Sequence, residues 1–81
     1  MDFYNFYTGK EFEAYQYLGA HVLESGTTFR TFAPAAQRVS VIGEFNGWTE
    51  TPMNRVHDGN FWECTIDGVG SDLMYKYRIY R

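Results

Sequence analysis

Arg38-Val39-Ser40-Val41-Ile42-Gly43-Glu44-Phe45-Asn46-Gly47-Trp48-Thr49 is the stretch that decides the fold. Its first half alternates, which predicts a strand over 38–45 with Val39, Val41 and Phe45 facing inward. Gly43 interrupts the apolar row and marks a bulge or a close backbone approach. Asn46-Gly47 then breaks the alternation with a strong turn signal. Asn46 is expected to serve that turn through its tolerance of positive φ. Trp48 follows at once. An indole just past a tight turn lies on a rim, where it folds back onto the core or faces a ligand.

Working outward, period-two patterning holds on both sides. Upstream, His21-Val22-Leu23-Glu24 reads as a short strand and Ser25-Gly26 as a turn. Thr27 to Ala33 reads as a second strand, with Phe29 and Thr31 on one face and Arg30 and Phe32 on the other, ended by Pro34. Downstream, residues 48–52 read as loop and Met53 to Val56 as a fourth strand. His57-Asp58-Gly59-Asn60 is a turn cluster. Phe61 to Ile66 is a fifth strand, placing Trp62, Cys64 and Ile66 together as core. A glycine-rich loop over 67–72 leads to a sixth strand, Leu73 to Tyr80. Its Leu73, Tyr75, Tyr77 and Ile79 point inward and its Met74, Lys76, Arg78 and Tyr80 outward. Six short strands with one apolar face each predict an all-β, immunoglobulin-like antiparallel β-sandwich.

The sandwich occupies residues 20–81. Residues 1–19 form an aromatic-rich lead-in. There Thr8-Gly9-Lys10-Glu11 resembles a capping box, and a short N-terminal helix is expected to run to about Tyr17, stopped by Gly19. The rings Phe3, Tyr4, Phe6 and Tyr7 have two candidate seats, the sandwich itself or a further domain. With nothing after Arg81, the chain reads as a piece of a longer polypeptide whose next strand is missing.

The 81 residues make one domain with a modest core, and 20% of them are aromatic, which supplies much of the burial a short chain needs. The net charge of -3 and the scattered Lys and Arg, without a basic stripe, argue against nucleic acid. No apolar run reaches membrane-span length and no signal peptide is evident, and the lone Cys64 fits a reducing cytoplasm. Cys64 is the single cysteine, so no disulfide is possible within the chain, and its strand face makes it a buried, inert thiol.

Catalytic signatures are missing. No pair of carboxylates is grouped as a glycosidase requires. Asp58, Asp67 and Asp72 fall in turn clusters, where backbone hydrogen bonding accounts for them. His21 and His57 stand apart without metal-ligand company. Ser25 and Ser71 lack a base, and no helix follows Gly68-Val69-Gly70 to make a phosphate loop.

Three elements in order carry a resemblance: Gly26-Thr27-Thr28-Phe29-Arg30-Thr31-Phe32-Ala33-Pro34, the stretch from Arg38 to Trp48, and Tyr75-Lys76-Tyr77-Arg78-Ile79. Together they resemble carbohydrate-binding module family 48, of the isoamylase N-terminal type. That module forms the N-terminal sandwich of branching and debranching enzymes and occurs in the β subunit of AMP-activated protein kinase. Tyr17-Leu18-Gly19-Ala20-His21 narrows the resemblance to bacterial 1,4-α-glucan branching enzymes. Phe32 stands where the family usually has Trp, and the second sugar-stacking tryptophan of the kinase-type modules has no match.

The resemblance implies a glycan-binding site at Trp48, which would stack on a glucose ring, and Lys76, which would hydrogen-bond sugar hydroxyls. It implies α-1,4-linked glucan (glycogen or maltooligosaccharide) as partner, beside the downstream catalytic barrel of the same polypeptide. These residues themselves would be non-catalytic. The parent enzyme would transfer α-1,4-glucan segments to 6-hydroxyls in glycogen biosynthesis, with no cofactor and no metal. The alternatives are a structural interface domain of a debranching enzyme, with no sugar site of its own, and a generic sandwich used for protein contacts.

Overall fold

The computed structural model describes residues 3, 7–9, 17–23, 25–69 and 74–81. Among them seven strands follow in order: β1 Gly19–Val22, β2 Gly26–Phe32, β3 Arg38–Gly43, β4 Thr51–Pro52, β5 Asn54–Val56, β6 Phe61–Asp67 and β7 Tyr75–Tyr80. They form a four-stranded sheet, β1-β2-β6-β5, and a three-stranded sheet, β4-β3-β7. Every pairing is antiparallel, as the alternation predicts. The helix expected from a Thr8 cap to about Tyr17 falls mostly on residues 10–16, outside the described residues; Thr8, Gly9 and Tyr17, which are described, lie in turns. No helix among the described residues is long and apolar enough to cross a membrane.

The two sheets face each other over Phe29, Val39, Val41, Met53 and Trp62, with Phe45, Tyr75, Tyr77 and Cys64 packed against them. Trp62 is core, and its Nε1 donates to the Ala33 carbonyl at 3.2 Å. The Tyr77 hydroxyl bridges the sheets by donating to the Arg30 carbonyl at 3.1 Å, and burial pushes its pKa up. Cys64 is half-buried, and desolvation pushes its thiol up to about 11, which keeps it protonated and unreactive at neutral pH.

Several boundaries differ from the sequence expectation. The fourth strand, expected over Met53 to Val56, is two. Pro52 cannot donate to a ladder, so it sits on β4, the edge of the three-stranded sheet, opposite Ser40. Met53 then donates its N–H to the Val39 carbonyl at 2.8 Å and buries its side chain, and the chain crosses to β5 in the other sheet. The third strand ends at Gly43, because residues 44–46 wind into one 3-10 turn. Phe45 still faces inward, with its ring centroid 5.2 Å from that of Phe29. The close approach expected at Gly43 is made by that ring: a Cβ there would lie 2.5 Å from Phe45 Cε1 and 2.8 Å from the Met74 carbonyl oxygen. The first strand starts earlier than expected, at Gly19, whose φ of 91 suits only glycine. Ile79 keeps its inward register opposite Val39, but lies near the end of the sandwich and is 40% exposed.

Two of the lead-in rings, Phe3 and Tyr7, settle on the outer face of the four-stranded sheet. Phe61 and Phe32 pair across β6 and β2 on that face. Phe3 packs edge-on against Phe61 at 5.0 Å, and Tyr7 against Phe32 at 5.8 Å. The Tyr7 hydroxyl donates to Asp58 Oδ2 at 2.6 Å and receives Asn60 Nδ2 at 3.0 Å. Asp58 therefore serves a long-range contact as well as its own turn. Tyr17 lies under the Arg30 guanidinium at 4.6 Å, while Arg30 pairs with Glu63 at 2.6 Å. Phe61 is fully buried although it points away from the main core.

Candidate functional site

The turn after β3 is held by side-chain and backbone bonds in a tight space. Asn46 Oδ1 accepts the Gly43 N–H at 3.0 Å. Its Nδ2 donates to the Val41 carbonyl at 3.2 Å and to Thr51 Oγ1 at 2.8 Å. Asn46 thus ties the end of β3 to β4. It does not take the positive φ expected of it. That conformation falls on Gly47 and on Trp48, at φ 65 and 63. For a bulky residue the left-handed region costs roughly 1–2 kcal/mol. The surrounding bonds hold it there: Trp48 N–H donates to the Gly43 carbonyl at 2.9 Å, and Thr49 Oγ1 to the Asn46 carbonyl at 2.6 Å. The indole on this clamped backbone is 49% exposed.

Lys76 lies on β7 opposite Ile42, one residue before the Gly43 that Trp48 bonds. Tyr75 and Tyr77 face the core, so alternation turns Lys76 outward, where it is exposed. The three-stranded sheet therefore brings Trp48 and Lys76 to the same end. Met74 joins them. Its N–H donates to Glu44 Oε1 and its carbonyl accepts the Glu44 N–H, both at 3.2 Å, and its side chain is 64% exposed. The end of the sheet thus combines an indole, a thioether and an ammonium on a tied backbone, which suits a ligand with both apolar and hydroxylated surface.

The sequence reading misses the other end of this face. Arg38, Arg78 and Tyr80 share the outward side with Lys76, since Tyr80 pairs with Arg38 and Arg78 with Ser40. The Tyr80 hydroxyl donates to Glu50 Oε2 at 2.6 Å, and this bond holds the Glu50 carboxyl below its ordinary range. Cations scattered in sequence are gathered here by the β3–β7 register, which alternation within one strand does not reveal.

Both histidines have structural partners. His21 Nε2 donates to the Leu18 carbonyl at 2.9 Å, and His57 Nε2 meets the Tyr17 hydroxyl. No group of three or more His, Cys, Asp or Glu among the described residues is placed to hold a metal ion.

Comparison with known proteins agrees with this architecture. The 1,4-alpha-glucan branching enzyme GlgB of Jannaschia sp. (strain CCS1) is 44% identical over 88% of this chain and 10% of its own length. That of Bacillus subtilis (strain 168) is 42% identical over 96% of this chain and 13% of its own. The chain thus spans only a small part of these relatives. Among solved structures, ligand-free pullulanase PulA of Klebsiella pneumoniae superposes with a TM-score of 0.59 at 31% identity, over 76% of this chain and 6% of the other. A D350A pullulanase of Paenibacillus barengoltzii, complexed with maltotriose, gives a TM-score of 0.60 at 33% identity, over 78% and 10%. Residues 17–81, which include all seven strands, match the family profile described as carbohydrate-binding module 48 (isoamylase N-terminal domain), and the chain belongs to that family.

Proposed function

We propose that this chain is a non-catalytic α-glucan-binding module that also braces the catalytic barrel of a cytoplasmic 1,4-alpha-glucan branching enzyme. Its parent would transfer α-1,4-glucan segments to 6-hydroxyls in glycogen biosynthesis. The observation that carries this reading is the half-exposed Trp48, held on a tied turn at the same sheet end as Lys76. A pyranose has an apolar C–H face that an indole can cover. Covering about 60 Å² at about 25 cal/mol/Å² gives about 1.5 kcal/mol, so one ring alone binds weakly and further contacts are needed. Lys76 can donate to hydroxyls beside the stacked ring.

Titration of the chain with maltoheptaose, followed by tryptophan fluorescence and amide NMR shifts, tests the reading. Shifts centred on Trp48 and Lys76 and lost in Trp48→Ala support it. Silence at millimolar sugar refutes it.

A second reading, an interface domain of a debranching enzyme, is favoured by the pullulanase likenesses and by the exposed Val22, Leu23 and Ile79. It predicts no sugar response, and contact with the barrel through those side chains.

A further inference from the structure

We propose that the outer face of β3 and β7 continues beyond Lys76 into a second α-glucan subsite, formed by Arg38, Arg78 and Tyr80. This rests on the glucan-binding reading of Trp48 and adds to it. The register sets Lys76, Arg78, Tyr80 and Arg38 on one face of one sheet. Lys76 and Tyr80 are four residues apart, which is about 13 Å along a strand. A glucan lying along β7 from the Trp48 end would therefore run onto this group.

Tyr80 organises it. The Arg38 guanidinium sits over the ring at 3.8 Å from its centroid, and that of Arg78 at 5.4 Å. The Tyr80 hydroxyl is held by Glu50, two residues after Trp48, so one loop carries the indole and anchors the far group. With two guanidinium groups at its ring, Tyr80 acts as a mount for two forks of N–H donors. Such a fork presents parallel donors to two neighbouring oxygens, which adjacent sugar hydroxyls supply. Fixing the forks beforehand lowers the ordering cost of binding.

Although the Glu50 carboxylate attracts Arg38 and Arg78, their N–H donors are not hydrogen-bonded among the described residues. On the opposite sheet, Arg30 is committed to Glu63 and Arg55 to the Ala36 carbonyl. Among the described residues, Arg38, Lys76 and Arg78 make no side-chain hydrogen bond and no ion pair. Glu50 within the group supplies an acceptor and offsets the positive charge. A mixed set of donors and acceptors suits a neutral ligand whose hydroxyls do both.

The test compares maltotriose with maltoheptaose on the 81-residue chain by calorimetry and amide NMR. The wild type is set beside Trp48→Ala, Arg78→Ala and Arg78→Gln, with near-UV circular dichroism to establish the fold. The longer sugar should bind more tightly and shift the amides of Arg38, Arg78 and Tyr80. Arg78→Ala should weaken maltoheptaose about three- to tenfold, the worth of a hydrogen bond or two, and maltotriose distinctly less, with Arg78→Gln between. Equal affinity for the two sugars, with a maltotriose response that Trp48→Ala abolishes, overturns the second subsite and leaves the first. Silence to both sugars overturns both. Displacement of maltoheptaose by inorganic phosphate would make the group an anion site and also overturn the proposal.

Discussion

Replacing Asn46 with alanine removes three hydrogen bonds from one turn and leaves the backbone sequence around it intact. The lost bonds run to Gly43 N–H at 3.0 Å, the Val41 carbonyl at 3.2 Å and Thr51 Oγ1 at 2.8 Å. Each is worth about 0.5–1.5 kcal/mol in a folded chain, and a buried donor left unpaired costs about 1–3 kcal/mol. Gly43 is buried, so its N–H is the expensive loss. The three share one network and do not add fully, which gives a total of about 2–3 kcal/mol. A domain of this size has a stability of only about 5–15 kcal/mol, and each kcal/mol moves the midpoint by about 4–8 °C. Asn46→Ala should therefore lower the melting temperature by roughly 10–20 °C. Urea unfolding followed by tryptophan fluorescence, extrapolated to water, measures the free-energy change directly. The same variant should loosen the backbone that holds Trp48, and so weaken maltoheptaose binding under conditions where the fold survives. A stability loss under about 0.5 kcal/mol, within the range of ordinary surface changes, would refute the claim that this side chain ties β3 to β4.

Other expectations follow from the same geometry. Gly43→Ala should cost about 1–3 kcal/mol, because the new methyl meets the Phe45 ring and the Met74 carbonyl; thermal melting checks it. Trp48→Gly should leave stability unchanged or raise it by about 1 kcal/mol, since glycine adopts the left-handed backbone freely, while abolishing the sugar response. That opposition of sign separates a binding ring from a packing ring. Cys64 should react slowly with a disulfide reagent in the native chain at pH 7, with a rate that climbs as pH approaches about 11. The folded thiol titrates above the ordinary value, so the native state holds its proton longer than the unfolded chain. Its contribution to stability is complete below about pH 9 and is lost as pH rises toward about 11, which denaturant titration at alkaline pH would show.

The alternation of Val39, Val41, Phe29, Trp62, Tyr75 and Tyr77 exposed the core faces to reading, because a period of two leaves each strand only one inward side. The ring after Asn46-Gly47 was likewise legible as a rim position. The split at Met53 was not, since a single buried side chain between two sheets leaves no periodic trace. Nor was the true work of Asn46, whose partners at Gly43, Val41 and Thr51 depend on how the loop folds back. The Arg38–Tyr80–Arg78 group depends on which strands become neighbours, and propensity says nothing of that. Alternation puts Phe32 on the Arg30 face, away from Phe29, and only the docking of Phe3 and Tyr7 shows why rings belong on that side.

That docking has a practical consequence for anyone shortening the chain. The family match begins at residue 17, which tempts a cut there. Such a cut would strip away Phe3 and Tyr7 and uncover Phe61, now wholly shielded from water. The trimmed domain would keep every strand and yet display a sticky aromatic panel, so the smallest homologous piece is not the smallest piece that stays dispersed.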